Sequence, residues 1–313
     1  MIYEDCTLCP NLCHADRTKG RGACGQSDKV MIAWSGLHKG EEPPVSGRHG
    51  SGMIFFTGCP LGCRYCQNWQ ISSSDADAWG IEVSTEELAN LMLRLQEMKA
   101  ATLNLVTGTH FIPSIVQALE EAGKMGFRLP VVWNSSGYES LDGLRLIDPY
   151  VDVYLVDVKT YDRQVARTFC GKARYVDVID PVMDFITSRH PHSDIENLSG
   201  TLVRHLVFPG TLEATKAFLR RFAEKYRKSC YLSLMVQFVP PKGDAVFPQM
   251  TDDEYDELID LLEELEIDNG YVQDRSDDDI LWIPDFTKDI PFPESFAKPC
   301  QYFLDLKRER LSR

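Results

Sequence analysis

The stretch Thr57-Gly58-Cys59-Pro60-Leu61-Gly62-Cys63-Arg64-Tyr65-Cys66-Gln67-Asn68 sets three cysteines at spacings of x3 and x2 on one tight loop, directly after the apolar run Met53 to Phe56. Thiolate sulfur suits iron–sulfur clusters and zinc. A cubane iron–sulfur cluster normally takes one Cys thiolate per iron, so a loop that offers three leaves one iron with an open position. An open position separates a metal that does chemistry from one that only holds the chain together. The alternative for this loop is zinc with a further ligand from elsewhere.

Working outward, short apolar runs alternate with amphipathic stretches. Strands are expected at Met53 to Phe56, Leu103 to Val106, Pro130 to Trp133, Val151 to Val156, Leu202 to Val207 and Tyr231 to Phe238. Between the first two, Ser84-Thr85-Glu86-Glu87 is a capping box in front of Leu88, Leu91, Met92, Leu95 and Met98, which share one helical face. Helices are also expected at Ile112 to Lys124, Leu141 to Ile147, Asp162 to Phe169, Val176 to Thr187, along Leu212 to Phe222, and behind the capping box Thr251-x-x-Glu254. Successive βα units need right-handed crossovers and a parallel sheet, with the chemistry at the strand C-terminal ends. The fold class expected is α/β, a partial (β/α)6 TIM-like barrel with an N-terminal Cys-rich metal-binding segment. Its divisions are residues 1–50, a barrel core at 51–270, and an irregular strap and tail at 271–313.

The 313 residues carry 33 Lys and Arg against 47 Asp and Glu, a net charge of −14. A surface that acidic repels phosphate backbones and anionic lipid, so nucleic acid and membrane are not expected partners. No apolar stretch approaches the roughly 18 residues of a membrane span, and no leader pattern is visible at Met1 to Cys6. The expected location is the cytoplasm, where the ten cysteines would be reduced and their clusters read as metal or catalytic sites. Cys170, Cys230 and Cys300 stand alone and read as small buried apolar residues. The acidic run Asp274 to Asp279 and the basic end Lys307 to Arg313 read as solvated, and Trp282 to Pro293 as a strap with aromatic anchors.

With an aromatic residue, Tyr65, before its last cysteine, Cys59-x3-Cys63-x-Tyr65-Cys66 resembles the cluster motif of the radical S-adenosylmethionine (SAM) superfamily. More of the chain is similar to its pyruvate formate-lyase activating enzyme group, in particular to relatives with a cysteine-rich N-terminus. The markers include Gly40-Glu41-Glu42-Pro43-Pro44-Val45-Ser46-Gly47, Cys66-Gln67-Asn68, Thr109-His110-Phe111, Asn134-Ser135-Ser136-Gly137-Tyr138, Asp157-Val158-Lys159 and Arg204 to Gly210. The resemblance implies a [4Fe-4S] cluster on Cys59, Cys63 and Cys66, and SAM among Tyr65, Asn68, Asn134, Ser136, Asp157, Lys159 and Arg204. Asn134 matches a group that hydrogen-bonds the ribose, Lys159 one near the SAM carboxylate, and Asp157 one near the substrate. Arg204 carries a guanidinium suited to a carboxylate. Two departures stand out. Many relatives end the second strand with Gly-Gly-Glu, where this chain has Thr107-Gly108-Thr109-His110, so backbone carbonyls and the Thr109 hydroxyl are expected to serve; His110 is expected to pack or start a helix, with contact to substrate as the alternative. Gln237 stands where the activating enzymes have a histidine, able to hydrogen-bond but not to titrate.

Cys6-x2-Cys9-x3-Cys13-x10-Cys24 supplies four thiolates, a full set for zinc or an auxiliary cluster, with His14 a weaker alternative ligand. A module this short buries little apolar surface without a metal. The activity implied is oxidoreductive: reductive cleavage of SAM and hydrogen abstraction, most simply from a glycine of a partner enzyme, with a flavodoxin or ferredoxin as electron donor. The alternatives are radical modification of a peptide or small molecule, and a non-catalytic iron–sulfur or zinc protein that binds a partner.

Overall fold

A computed structural model describes residues 2–73, 79–241, 247–275 and 283–312. The acidic run beyond Arg275, Trp282 of the strap and Arg313 of the basic end fall outside them. In chain order the elements are β1 (Val30–His38), α1 (Pro43–Ser46), β2 (Ser51–Phe56), α2 (Trp69–Ser72), β3 (Ile81–Val83) and α3 (Thr85–Glu97). They continue with β4 (Leu103–Val106), α4 (Ile112–Lys124), β5 (Val131–Ser135), α5 (Leu141–Ile147), β6 (Val153–Asp157), α6 (Arg163–Val165) and α7 (Tyr175–Arg189). The chain closes with β7 (Gly200–Leu206), α8 (Leu212–Lys225), β8 (Cys230–Met235), α9 (Asp252–Glu264), β9 (Gly270–Val272), β10 (Ala297–Pro299) and α10 (Gln301–Leu311).

One sheet runs β10-β1-β2-β4-β5-β6-β7-β8-β9, with β3 on β1. Every pairing from β2 to β9 is parallel, while β1 is antiparallel to β2, β3 and β10. The path has two free ends, so the partial barrel stays open. All six expected strands are present, and β9 adds a seventh parallel one after α9. The expected division at residue 50 marks no break in the sheet, because β1 pairs with β2 over most of its length. That strand was missed because its face pattern is hidden: nearly every residue is buried, so polar and apolar positions do not alternate. Past residue 271, β9 and β10 join the sheet, and the basic end belongs to α10, which buries Phe303 and Leu306. Its last turn is tied to the first turn of α3 by Arg310, which donates to Glu87 (2.5 Å).

Two cores follow from the period-2 alternation of the strands. Outside, β-strand residues such as Leu105, Trp133 and Val156 meet the buried helix faces of Leu88, Ile115 and Ile179. Inside, Val132, Val153, Leu155 and Leu202 close on Val45 of α1 and on Ile195. The segment Gly40 to Gly47 therefore enters the barrel and plugs one end. Two residues further along β5, β6 and β7, on the same inward face, come Asn134, Asp157 and Arg204.

Candidate functional site

A cavity of about 610 Å³ opens above the plug at the C-terminal ends of the strands. Cys59, Cys63 and Cys66 line it together with Tyr65, Asn68, Thr107, Asn134, Ser136, Asp157, Lys159, Arg204 and Gln237. Residues from the cluster loop and from β4, β5, β6, β7 and β8 or the turns after them thus face one space. Gly108 and Thr109 do not line it. A Cβ at Gly108 would lie 2.6 Å from Ile115 and 3.0 Å from Trp133, so the turn is pressed against the outer core. The buried Thr109 hydroxyl donates to Glu139 (3.2 Å) and is not offered to a ligand, contrary to the expectation for it. Thr107 presents the turn instead, with a left-handed φ of 59°.

The cluster loop leaves β2 through Gly58, whose φ of +74° and distance of 2.8 Å between a would-be Cβ and the Cys24 carbonyl both exclude a side chain. Burial pushes the Cys59 thiol up to about 12, with Cys63 and Cys66 close enough to add to the effect. Burial raises Cys66 as well. Cys63 is raised by a hydrogen bond with Cys170 and by burial. Cys170 is therefore not isolated. The Arg64 N–H donates to the Phe169 carbonyl (2.9 Å), which brings the π-turn Ala166–Cys170 onto the loop. A helix was expected through Phe169, and the wider turn takes its place at this contact; such turns are common at functional sites.

Beside the thiols, burial opposes the Lys159 ammonium but Asp157, 2.7 Å away, holds it charged. Tyr175 on α7 fixes this pair from behind: its hydroxyl accepts from the Lys159 N–H (3.0 Å) and reaches the carbonyls of Ser136 (2.9 Å) and Asp157 (3.0 Å). Gln237 accepts from Gln273 (2.7 Å), a residue just past β9. Arg204 is already committed to its own chain. Its Nε donates to Glu42 (2.8 Å) and its Nη2 to Glu41 (2.9 Å) and to Glu42. Burial disfavours the Glu41 charge, yet the Arg204 charge wins and holds its carboxyl down at about 2. This triad forms the cavity floor above the apolar plug. Glu41 and Glu42 carry no local sign of this partner in the sequence, because Arg204 lies more than 160 positions away.

His110 is buried and does not line the cavity. Burial, and then the Arg17 charge, pull its pKa down to about 3, so the neutral ring donates from Nε2 to the Thr57 carbonyl (2.7 Å) and supports the loop from beneath. Phe292 of the strap packs on His38 (4.5 Å), Trp34 (5.4 Å) and Phe55 (5.6 Å) and closes one wall. A second depression of about 620 Å³ adjoins the first at Gln237, bordered by Phe208, Pro209, Phe238, Pro240 and Phe247.

Among the described residues no three His, Cys, Asp or Glu side chains are spaced as a ready-made cage. What fits iron here is the donor chemistry: three clustered thiols, a buried cation beside them, and an adjoining cavity for a further ligand. Residues 53–210 match the family model of the radical SAM superfamily. The chain belongs to that superfamily. Membership as a radical SAM protein implies a [4Fe-4S] cluster and SAM. The chain is 27% identical over 278 residues to an uncharacterized protein of Methanocaldococcus jannaschii, spanning 86% of this chain and 78% of that one. Among solved structures it is similar to a domain of pyruvate-formate lyase-activating enzyme from Bacteroides vulgatus (TM-score 0.40, 13% identity, 52% of this chain and 91% of that one). It is also similar to SAM-bound SuiB of Streptococcus suis (TM-score 0.45, 9% identity, 69% and 48%). A radical SAM methyltransferase from Sphaerobacter thermophilus aligns at a TM-score of 0.47 and 15% identity over 71% and 66%. No helix among the described residues is long and apolar enough to cross a membrane.

Proposed function

We propose that this radical SAM protein abstracts hydrogen, with a glycine of a partner enzyme as the target. One observation carries the reading: nine residues expected at the cofactor, drawn from the cluster loop and five strand ends, line one cavity with three thiols. Cys59, Cys63 and Cys66 are the iron ligands. When bound, the cluster and SAM supply an electron and a 5′-deoxyadenosyl radical. Lys159 offers an N–H to the SAM carboxylate, a charge-assisted bond kept available because Asp157 holds the ammonium protonated. Asn134 and Ser136 offer short polar side chains to the ribose, and the Thr107 turn offers backbone groups to the amino end. Tyr65, Phe55 and Phe292 form apolar wall that keeps water from the reacting atoms. Arg204, in this reading, keeps the floor rigid and does not bind a ligand carboxylate.

The Pro- and Phe-lined depression beside Gln237 supports a target delivered as an extended chain, and equally a free peptide, the second reading. The electron donor we assign is a flavodoxin or ferredoxin, in the cytoplasm. The test is anaerobic: reconstitute with iron and sulfide, add SAM and a strong reductant, and measure 5′-deoxyadenosine. Product is expected from the wild-type chain and none from Cys59→Ala/Cys63→Ala/Cys66→Ala. A chain that holds its cluster and makes no 5′-deoxyadenosine overturns the radical reading and leaves an iron–sulfur partner-binding protein.

A further inference from the structure

Arg17 is wholly buried, and among the described residues it meets no carboxylate. Its Nε donates to the Gln26 carbonyl (3.1 Å), its Nη2 to that of Ser27, and its Nη1 to the His110 carbonyl (2.5 Å) and toward Cys6 Sγ (3.7 Å). Its guanidinium carbon stands 4.8 Å from the centre of the Tyr3 ring. Neutral carbonyls satisfy its protons but do not balance its charge. A permanently charged group buried without an anion is costly, so an anion is needed beside it.

The groups placed to supply one are the N-terminal cysteines. Cys6, Cys9 and Cys24 are buried and Cys13 half-buried, none in a disulfide. The turn at Gly22 brings two of their loops and Arg17 together: a Cβ there would lie 3.2 Å from Arg17 Cδ and 3.5 Å from Cys13 Sγ. Cys13 itself is flanked by left-handed residues, Leu12 at φ 42° and His14 at φ 49°.

We propose that Cys6, Cys9, Cys13 and Cys24 hold a thiophilic metal centre as four thiolates, with Arg17 as its buried counter-cation, and that this centre braces the radical SAM loop. Zinc binding releases four S–H protons to solvent as four zinc–sulfur bonds form, with no change of oxidation state. A [4Fe-4S] cluster assembled in solution from iron, sulfide and a thiol reductant exchanges its outer ligands for the same four thiolates, with the four protons leaving and no redox change at that step. Zinc with four thiolates and a [4Fe-4S] cluster in its oxidised resting state carry the same net double negative charge, which Arg17 half-neutralises. The bracing runs through particular contacts. Asn11, between Cys9 and Cys13, donates to the Pro60 carbonyl of the cluster loop (2.8 Å). Gln26, two residues past Cys24, accepts from Thr57 (3.2 Å). Arg17 holds the His110 carbonyl, and His110 in turn holds that of Thr57. Metal outside the catalytic cavity thus fixes both the loop that carries Cys59 and the turn that carries Thr107. The assignment does not depend on the radical reaction and uses residues apart from the cavity.

The experiment uses the full chain bearing Cys59→Ala/Cys63→Ala/Cys66→Ala, so that metal at the radical site is not counted. Purified anaerobically, it is offered zinc, and separately iron with sulfide, and then analysed for both. One zinc, or four iron with four sulfide, per folded chain is the expected result, and the element found decides between ion and cluster. Adding Cys6→Ser and Cys24→Ser is expected to abolish it. A second measurement needs no further cysteine variant: alkylation of Cys13, followed by mass spectrometry, is expected to be blocked by the metal and restored by a chelator. Arg17→Met is expected to weaken binding about 10- to 100-fold, as loss of an outer-shell partner does, and Arg17→Lys to recover part of it. A folded chain that takes up neither metal, or a Cys13 alkylated at one rate with and without metal, overturns the proposal. Metal bound equally by the Arg17→Met chain overturns the role of Arg17.

Discussion

Glu139 shows how one buried residue sets the site from behind. Its carboxyl accepts from Trp133 (2.5 Å), Ser135 (3.1 Å) and Thr109 (3.2 Å), and so joins the β4 turn to the end of β5. Burial lifts its pKa from 4.5 to about 7, with those three donors opposing. Between these values the folded chain holds a proton that the unfolded chain has released, so its stability declines as pH rises from about 4.5 through 7. Glu139→Gln cannot ionise, and its melting temperature relative to wild type is expected to climb between pH 5 and pH 8; parallel melting curves would refute this. Lys159→Met removes the one ammonium among the described residues of the cavity wall and leaves Cys59, Cys63 and Cys66 intact. Loss of a charge-assisted hydrogen bond costs about 1.5–3 kcal/mol, so calorimetry should show SAM binding weakened by roughly one to two orders of magnitude. Iron content should stay as in wild type.

At the scale of elements, local signals and long-range contacts contribute separately. The Ser84 hydroxyl accepts from the Glu87 N–H (3.1 Å), and the Glu87 carboxylate accepts from the Ser84 N–H (2.8 Å), closing both ends of the capping box that starts α3. Ser84→Ala is expected to cost about 1 kcal/mol in denaturant unfolding, with cavity chemistry unchanged. The triad of Glu41, Glu42 and Arg204 joins the segment before α1 to β7 and has no local signal. Arg204→Met strands two buried carboxylates and should cost about 3–5 kcal/mol, and Arg204→Met/Glu41→Gln/Glu42→Gln should restore much of it. If the single and triple variants unfold alike, the floor is not held by charge pairing.

Across the whole molecule, the C-terminal segment completes what the barrel begins. β10 covers the edge of β1, and Phe303 and Leu306 of α10 bury against the outer core. Removing residues 297–313 exposes both and should cost roughly 3 kcal/mol or more from the two apolar side chains alone, read as a lowered urea midpoint. That segment was read as an irregular strap and tail because its anchors are few and its partner strand lies over 250 positions earlier.

The helices α4 and α5 and the strand β4 fall on their expected residues, since an amphipathic period and an apolar run are properties of neighbours in the chain. The cluster loop is legible in the same way: its spacing gives three thiolates on one turn after β2, and the resemblance of Cys59-x3-Cys63-x-Tyr65-Cys66 to the radical SAM motif assigns them iron rather than zinc. Cys170, Glu139, Tyr175 and Arg17 carried no such signal. Each owes its role to a partner 30 or more positions away, brought near only when the strands align and the helices pack: Thr109 for Glu139, Cys63 for Cys170, Ser136 for Tyr175 and His110 for Arg17. The sequence by itself determined the order of βα units and the thiol chemistry, because spacing along the chain decides those. Only the tertiary structure decided which polar groups face the cavity and which are used up within the protein, because burial and pairing belong to the packed molecule.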